Sequence, residues 1–366
     1  MLRPLRRNNQ AIGLDIGSKV LKAVQLRPIR KDGFELISLG FEELSPDCMT
    51  DGAIVSGSLV SDAIRRLFAE QCIQNRRIAT SISGRSVIVR RISLPLQSER
   101  HLGESIRWEA EQYIPFDMAE VNLDYQVLRR NAETETLDIL LVAGKKDKID
   151  GYTRVIKMAD KTPVLVDVDA FALQNAYVIN YRPPARSIAA LLDIGASNTT
   201  ISIISGTDFL FMRDVSIGGH QHTEFIQKKF NLGFRQAEAL KCGEAAEGIH
   251  PDQVRSAIDP ATETICLEIQ KTCDFLKSTI TADRVERMIV SGGSAHTPGL
   301  IEMLVRKFEV PVEKFDSFKT IAFDPTRFSS AVISDRSPDL AVAIGLAIRG
   351  VRPPFFSGFG KRRRSR

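Results

Sequence analysis

AIGLDIGSKVLKAVQL, at 11–26, and AALLDIGASNTTISII, at 189–204, follow one pattern. In each, an apolar strand ends in Asp-Ile-Gly, small or polar residues make a tight turn, and a second alternating strand returns, which is a β-hairpin used twice. Asp15 and Asp193 lie 178 positions apart, so the chain divides into two halves that open with the same device. Two similar lobes are expected. An Asp at the end of a buried strand, followed by Gly, sets a carboxylate at a turn with free backbone N–H groups and no Cβ in the way. That arrangement suits phosphate and Mg²⁺. Two such tips facing each other would hold the phosphates of one nucleotide, with Asp15 and Asp193 positioning a hydrated Mg²⁺.

A third element, RMIVSGGSAHTPGLIEMLVRKF at 287–308, reads as a buried strand, a Gly-rich turn and a helix opened by Pro298 and Gly299. Glycines there let the backbone pass close to a flat ring or a phosphate. Between the second hairpin and this turn, GFRQAEALK puts Glu238 and Lys241 three residues apart on one helical face. They either pair with each other or straddle a ribose and base.

With 366 residues, 43% of them hydrophobic, the chain has enough apolar side chains for a substantial core. No run of about 18 uncharged apolar residues exists to span a bilayer. The opening MLRPLRRNNQ is basic, yet Asp15 and Gly17 interrupt any signal-peptide core. A soluble cytoplasmic chain is expected. Five cysteines without a CxxC pair fit a reducing compartment, and Cys266 and Cys273 fall on one helical face as small core residues. The formal charge of +5 comes from the ends: Arg3, Arg6, Arg7 and KRRRSR at 361–366 carry eight positive charges and leave a body of −3. A basic nucleic-acid cleft is therefore not expected. The tails are either solvated termini or a means of attraction to an anionic membrane, where each basic residue adds about 1 kcal/mol.

Other constellations carry less. His220 and His222 have a spacing that permits metal ligation, but no second Cys/His cluster completes a site. Trp108, Tyr113 and Phe116 in RWEAEQYIPFD serve either as partner-facing anchors or as packing under a small subdomain. Ser81, Ser83, Ser86 and Ser93 lack a GxSxG elbow. In GVRPPFFSGFGKRRRSR, Pro353, Pro354, Gly358 and Gly360 break any amphipathic helix, although Phe355, Phe356 and Phe359 beside the basic run suit an interface.

The three elements in this order, with VLVDVDAFALQNAY between the halves, resemble the actin-like ATPase superfamily of actin, Hsp70-type chaperones, sugar kinases and FtsA. More narrowly, the segment at 90–128 containing WEAEQYIPFD, followed by LLVAGKKDKIDGY, is similar to the inserted subdomain of the PilM family of type IV pilus assembly proteins. The closing AVAIGLAIRG is similar to that family's last helix. The resemblance implies an ATP- and Mg²⁺-binding, FtsA-like adaptor at the cytoplasmic face of the inner membrane. A groove on it would capture the N-terminal cytoplasmic peptide of a PilN-like membrane protein. It assigns Asp15, Gly17, Ser18 and Lys19 to the first phosphate loop, and Asp193, Gly195, Ser197 and Thr199 to the second. Gly292 and Gly293 become the adenosine loop, Gly218 and Gly219 the turn into the base-contacting helix, and Glu238 and Lys241 that helix. Asp169 stands where relatives that hydrolyse ATP keep a water-orienting group, and is either a general base or a strand-end cap. Two departures stand out: Ser294 replaces a usual third glycine, and His222 a usual apolar residue. Lys22 either points into the cleft or pairs on the hairpin surface.

The expected architecture is α/β, a duplicated two-lobe actin-like (ribonuclease H-like) fold with a nucleotide cleft and an inserted FtsA-like 1C-type subdomain. The first lobe spans 1–186 with the insertion at about 86–162. The second spans 187–338, with a helical subdomain at about 218–286. A last helix at 339–350 returns to the first lobe, ahead of a basic tail at 351–366. Three functions compete: a nucleotide-regulated scaffold for an extended peptide, with other assembly proteins or a homo-oligomer as further partners; a sugar-type kinase using Asp169; and an FtsA-like filament.

Overall fold

The computed structural model describes residues 10–29, 33–50, 52–96, 99–279 and 284–351; both basic ends, with Phe355, Phe356 and Phe359, lie outside them. The strands in chain order are β1 (Ile12–Ile16), β2 (Val20–Pro28), β3 (Phe34–Glu43), β4 (Met49–Thr50), β5 (Ala53–Ile54), β6 (Arg77–Ile82), β7 (Val87–Pro95), β8 (Val121–Asn131), β9 (Thr136–Lys145), β10 (Thr162–Val168), β11 (Ile188–Ile194), β12 (Thr199–Ser205), β13 (Asp208–Val215), β14 (Arg287–Ser291), β15 (Val312–Lys314) and β16 (Ile321–Ala322). The helices are α1 (Gly57–Glu70), α2 (Glu99–Tyr113), α3 (Lys146–Met158), α4 (Asp169–Tyr181), α5 (Gly219–Phe230), α6 (Phe234–Lys241), α7 (Pro251–Thr279), α8 (Leu300–Phe308), α9 (Ser330–Arg336) and α10 (Ala341–Val351).

The duplicated hairpin becomes a duplicated sheet. In the first lobe the order is β10-β6-β1-β2-β3-β16, and in the second β13-β12-β11-β14-β15. Each hairpin runs on into a third antiparallel strand, and on the other side of its first strand lie parallel strands reached through helices. Parallel pairing buries both faces of the central strands, and β1 and β11 are accordingly apolar up to their aspartates. The expected two-lobe actin-like fold is what forms.

Between β6 and α3 the chain builds a separate three-stranded sheet, β7-β9-β8. One face of it packs on α2 through Ile92, Leu94, Ile106, Ile139 and Leu141. Trp108 and Tyr113 on α2 remain exposed, while Phe116 packs against this small core.

α10 closes the first lobe by close backbone approach. A Cβ at Gly345 would stand 1.8 Å from the Ala172 carbonyl oxygen of α4, and one at Gly13 of β1 would stand 2.0 Å from that of Ala343. α4 and α10 are apolar nearly all round, as buried helices are. The Arg349 Nε of α10 donates to the Asp167 carboxylate of β10 at 2.8 Å, both residues being buried.

Candidate functional site

A cavity of about 360 Å³ opens between the lobes where the two hairpin tips meet, within the range of small-molecule sites. Among the residues expected to bind a nucleotide, Asp15, Gly17, Ser18, Lys19, Asp193, Gly195, Ser197, Glu238, Lys241, Gly292 and Gly293 line it, as does Asp169. Thr199, Gly218 and Gly219 do not. The Thr199 hydroxyl turns away to the Ile217 carbonyl at 2.7 Å. Gly218 is required by crowding, since a Cβ there would lie 2.6 Å from the Gly195 carbonyl oxygen.

The hairpin register settles Lys22. Asp15 and Lys22 are opposite residues of β1 and β2, so their side chains leave the same face, and Lys22 Nζ lies 2.8 Å from Asp15 Oδ2 inside the cavity. Burial alone would lower this amine, but the Asp15 carboxylate, helped by Asp193 and Asp339, holds it up at about 12. It is a permanent ammonium ion. On the second hairpin Asp193 is pushed up to about 7 by burial, with repulsion from Asp15 and Asp169 added and the Lys22 charge opposing. Asp169, the first residue of α4, is pushed up to about 6 by burial and by Asp15, against hydrogen bonds from the Ser81 and Ser83 hydroxyls.

On the far wall Glu238 and Lys241 do pair, at 2.7 Å. Glu238 also takes Lys19 across the cleft at 2.9 Å, from the first hairpin, and the Thr223 hydroxyl. Burial would raise the Glu238 carboxyl, but Lys241 above all brings it down to about 2. Ser294, where a third glycine is usual, donates its hydroxyl to the Gly195 carbonyl at 2.9 Å, which ties the Gly-rich turn to the second hairpin. His222 is buried against the Thr262 hydroxyl at 3.0 Å, and burial pushes it down to about 4, so it is neutral.

Two features show what the cavity fits. Where a Cβ of Gly293 would stand there is nothing within 4 Å, so the backbone there is bare to the cavity. The Thr297 hydroxyl, at the end of the same turn, is buried and unpartnered. An unmatched buried hydroxyl favours a ligand that can hydrogen-bond to it. Tyr152, Asn198, Thr297, Arg336 and Asp339 line the cavity as well; the first three sit in segments that carry a recognisable pattern, at positions the pattern does not assign, and Arg336 and Asp339 come from a segment with no local motif to mark it.

The family described as type IV pilus assembly protein PilM matches residues 13–351. The chain belongs to that family. A solved PilM-PilN type IV pilus biogenesis complex superposes with a TM-score of 0.84 at 29% identity, covering 94% of this chain and 100% of that one. Outside the PilM family the likeness is one of fold. The ethanolamine utilization protein EutJ from Carboxydothermus hydrogenoformans gives 0.57 at 16% identity, over 95% of this chain and 92% of that one. MreB5 of Spiroplasma citri, solved bound to ADP, gives 0.51 at 13% identity, over 93% and 95%. In sequence, EutJ of Escherichia coli strain K12 is 24% identical over 120 residues, 33% of this chain and 38% of the length of that protein. Among the described residues of this PilM-family chain no helix is long and apolar enough to cross a membrane.

Proposed function

We propose that this PilM-family protein binds ATP with Mg²⁺ in the interlobe cleft and uses the nucleotide state to regulate capture of the N-terminal cytoplasmic peptide of a PilN-like inner-membrane protein. That peptide would hold it peripherally at the cytoplasmic face. The observation that carries the nucleotide half is the convergence of both Asp-Ile-Gly tips, the Lys22 ammonium and the Gly292–Gly293 turn, bare at Gly293, on one cavity. Gly17, Ser18, Gly195 and Ser197 would receive the phosphates, Glu238 and Lys241 the ribose side, and Gly293 and Thr297 the base. Asp15 and Asp193 fit a cation, because buried carboxylates that repel one another are relieved by positive charge. Both would reach a hydrated Mg²⁺ through its water shell. Mg²⁺, when bound, neutralises phosphate charge. Asp169, raised toward neutrality at the head of α4, is placed to accept a proton from water.

Asp193 makes the cation half testable by pH. Its carboxyl in the folded chain titrates near 7 rather than the ordinary 3.8. The folded chain therefore holds the extra proton between about 4 and 7, and that contribution to stability is lost as pH climbs through about 7. A divalent cation needs the deprotonated form. Mg·ATP affinity is expected to rise about tenfold from pH 6 to pH 8, measured by calorimetry, and to flatten in Asp193→Asn. An equally steep profile in the variant would remove Asp193 from the cation site.

The peptide half is supported by a second cavity, of about 380 Å³, under the three-stranded sheet. Its roof is Arg91, Gln126, Arg129 and Asp138, its floor Asn175, Val178 and Ile179 of α4, and its side Ser205–Leu210 of the second lobe. An apolar floor with a charged roof suits an extended peptide of mixed polarity, and Asn175 Nδ2 is buried there without a partner. Arg91 is exposed, so Arg91→Glu should leave folding intact and weaken a synthetic PilN-derived peptide about tenfold or more, by fluorescence anisotropy. Unchanged affinity would move the peptide site elsewhere.

A further inference from the structure

The two cavities stand at opposite ends of the same three rigid elements. α4 begins at Asp169 in the cleft and reaches the groove floor at Asn175, Val178 and Ile179, about 9–15 Å along the helix. The sheet is rooted beside the cleft, where β7 leaves the Ser83–Ser86 turn and β9 runs into α3, and its outer part carries Arg91 and Asp138 on the groove roof. The β12–β13 pair starts from Asn198 and Thr200 in the cleft, and its tip forms the groove side. Two of these walls belong to the first lobe and one to the second, so any change in the angle between the lobes alters the groove.

All three elements meet at one knot. The Ser83 hydroxyl bonds Asp169 and takes the Asn198 amide at 3.3 Å, across the lobes. The Ser83 carbonyl accepts Lys148 of α3 at 2.8 Å. Gly84, at φ +82°, donates its backbone N–H to Asp214 Oδ2 of β13 at 2.6 Å, a second crossing between lobes. The other Asp214 oxygen takes the Thr200 hydroxyl. Beyond the knot, Val87 and Lys145 close the sheet root onto the Gly84 and Ser86 carbonyls at 3.0 and 2.9 Å. Val87 and Val89 of β7 and Phe209 and Met212 of β13 belong to one buried apolar cluster, while a cavity of about 480 Å³ is lined by Gly84, Arg85 and residues 87–90 on one side and residues 211–214 on the other. Rotation about the knot is passed on to the groove through the hydrogen-bonded sheet root and the shared apolar cluster.

We infer that the Gly84–Asp214 hydrogen bond is the pivot through which occupancy of the cleft sets the width of the peptide groove, with Asp214 and Ser83 as its positioning residues. This rests on the function proposed above. Asp214 lines neither the cleft nor the groove, so removing its side of the pivot is expected to uncouple the two sites while leaving each able to bind.

The test is a linkage measurement on the full chain: affinity for the PilN-derived peptide with and without saturating Mg·adenylyl imidodiphosphate. Wild type should show a ratio of about tenfold or more. Asp214→Ala should bring it within twofold of unity with the nucleotide-free peptide affinity unchanged, and Asp214→Asn, which keeps an acceptor for Gly84, should retain most of it. A wild-type ratio in Asp214→Ala overturns the pivot. A ratio of one in wild type removes the regulatory reading and the pivot with it. Should Asp214→Ala fail to fold, hydrogen exchange on wild type decides: the analogue should alter exchange in both 88–91 and 205–210. Protection confined to the cleft would overturn the inference.

Discussion

Lys22→Met is expected to weaken Mg·ATP binding by about a hundredfold or more, or roughly 2.7 kcal/mol. The ammonium is in contact with Asp15, and its field also reaches Asp193 and Asp339. Without it the cleft presents Asp15, Asp169 and Asp193 to an incoming triphosphate, and the repulsion is felt at low dielectric. Removing one partner of this part-buried pair also lowers stability, by less than the loss of a fully buried ion pair would, which a melting curve would register. The double variant Lys22→Met with Asp15→Asn separates the two effects. It leaves no buried charge stranded, so stability should recover, while nucleotide affinity should stay low because both the ammonium and the cation-positioning carboxylate are gone. Calorimetric titration of wild type and both variants decides it, and ATP affinity within threefold of wild type in Lys22→Met would exclude Lys22 from the phosphate site.

Lys22 also marks where sequence reading stops. The hairpins were legible because Asp-Ile-Gly at the end of an apolar strand is a local pattern, and its recurrence after 178 residues implied a duplicated fold; the matching sheet orders follow from it. Whether Lys22 faced the cleft depended on the hairpin register, which sets Asp15 opposite Lys22 only once the turn between Gly17 and Val20 is fixed. Ser294 and His222 were visible as departures, but what they do required their partners, the Gly195 carbonyl and Thr262, 99 and 40 positions away. Thr199 follows the phosphate-loop pattern, yet alternation along β12 turns its hydroxyl to Ile217 and leaves Thr200 on the cavity. Asp214 carries no motif at all. Its place at the knot comes from three segments, β6 to β7, β12 and β13, brought together only by the packing of the two lobes.

The same limit applies to Arg349, which reads as an ordinary basic residue near a helix end and is buried against Asp167 of β10. Asp167 is fully buried and precedes, by two positions, the Asp169 that opens α4 in the cleft. Arg349→Met should therefore destabilise the chain by about 3–5 kcal/mol, since it strands a carboxylate in a dry interior. Chemical denaturation should show this as a lower midpoint with the slope unchanged. The cause can be isolated. Asp167→Asn in the Arg349→Met background removes the stranded charge, and the double variant should recover more than half of the loss, because a neutral buried pair lacks the desolvation penalty. A merely steric role for Arg349 predicts no recovery, and a single variant as stable as wild type would show that α10 is held by Gly345 and its apolar neighbours alone. With the helix loosened, β10 and the head of α4 lose their support from behind, so the Arg349→Met protein that remains folded should also bind Mg·ATP more weakly than the double variant does.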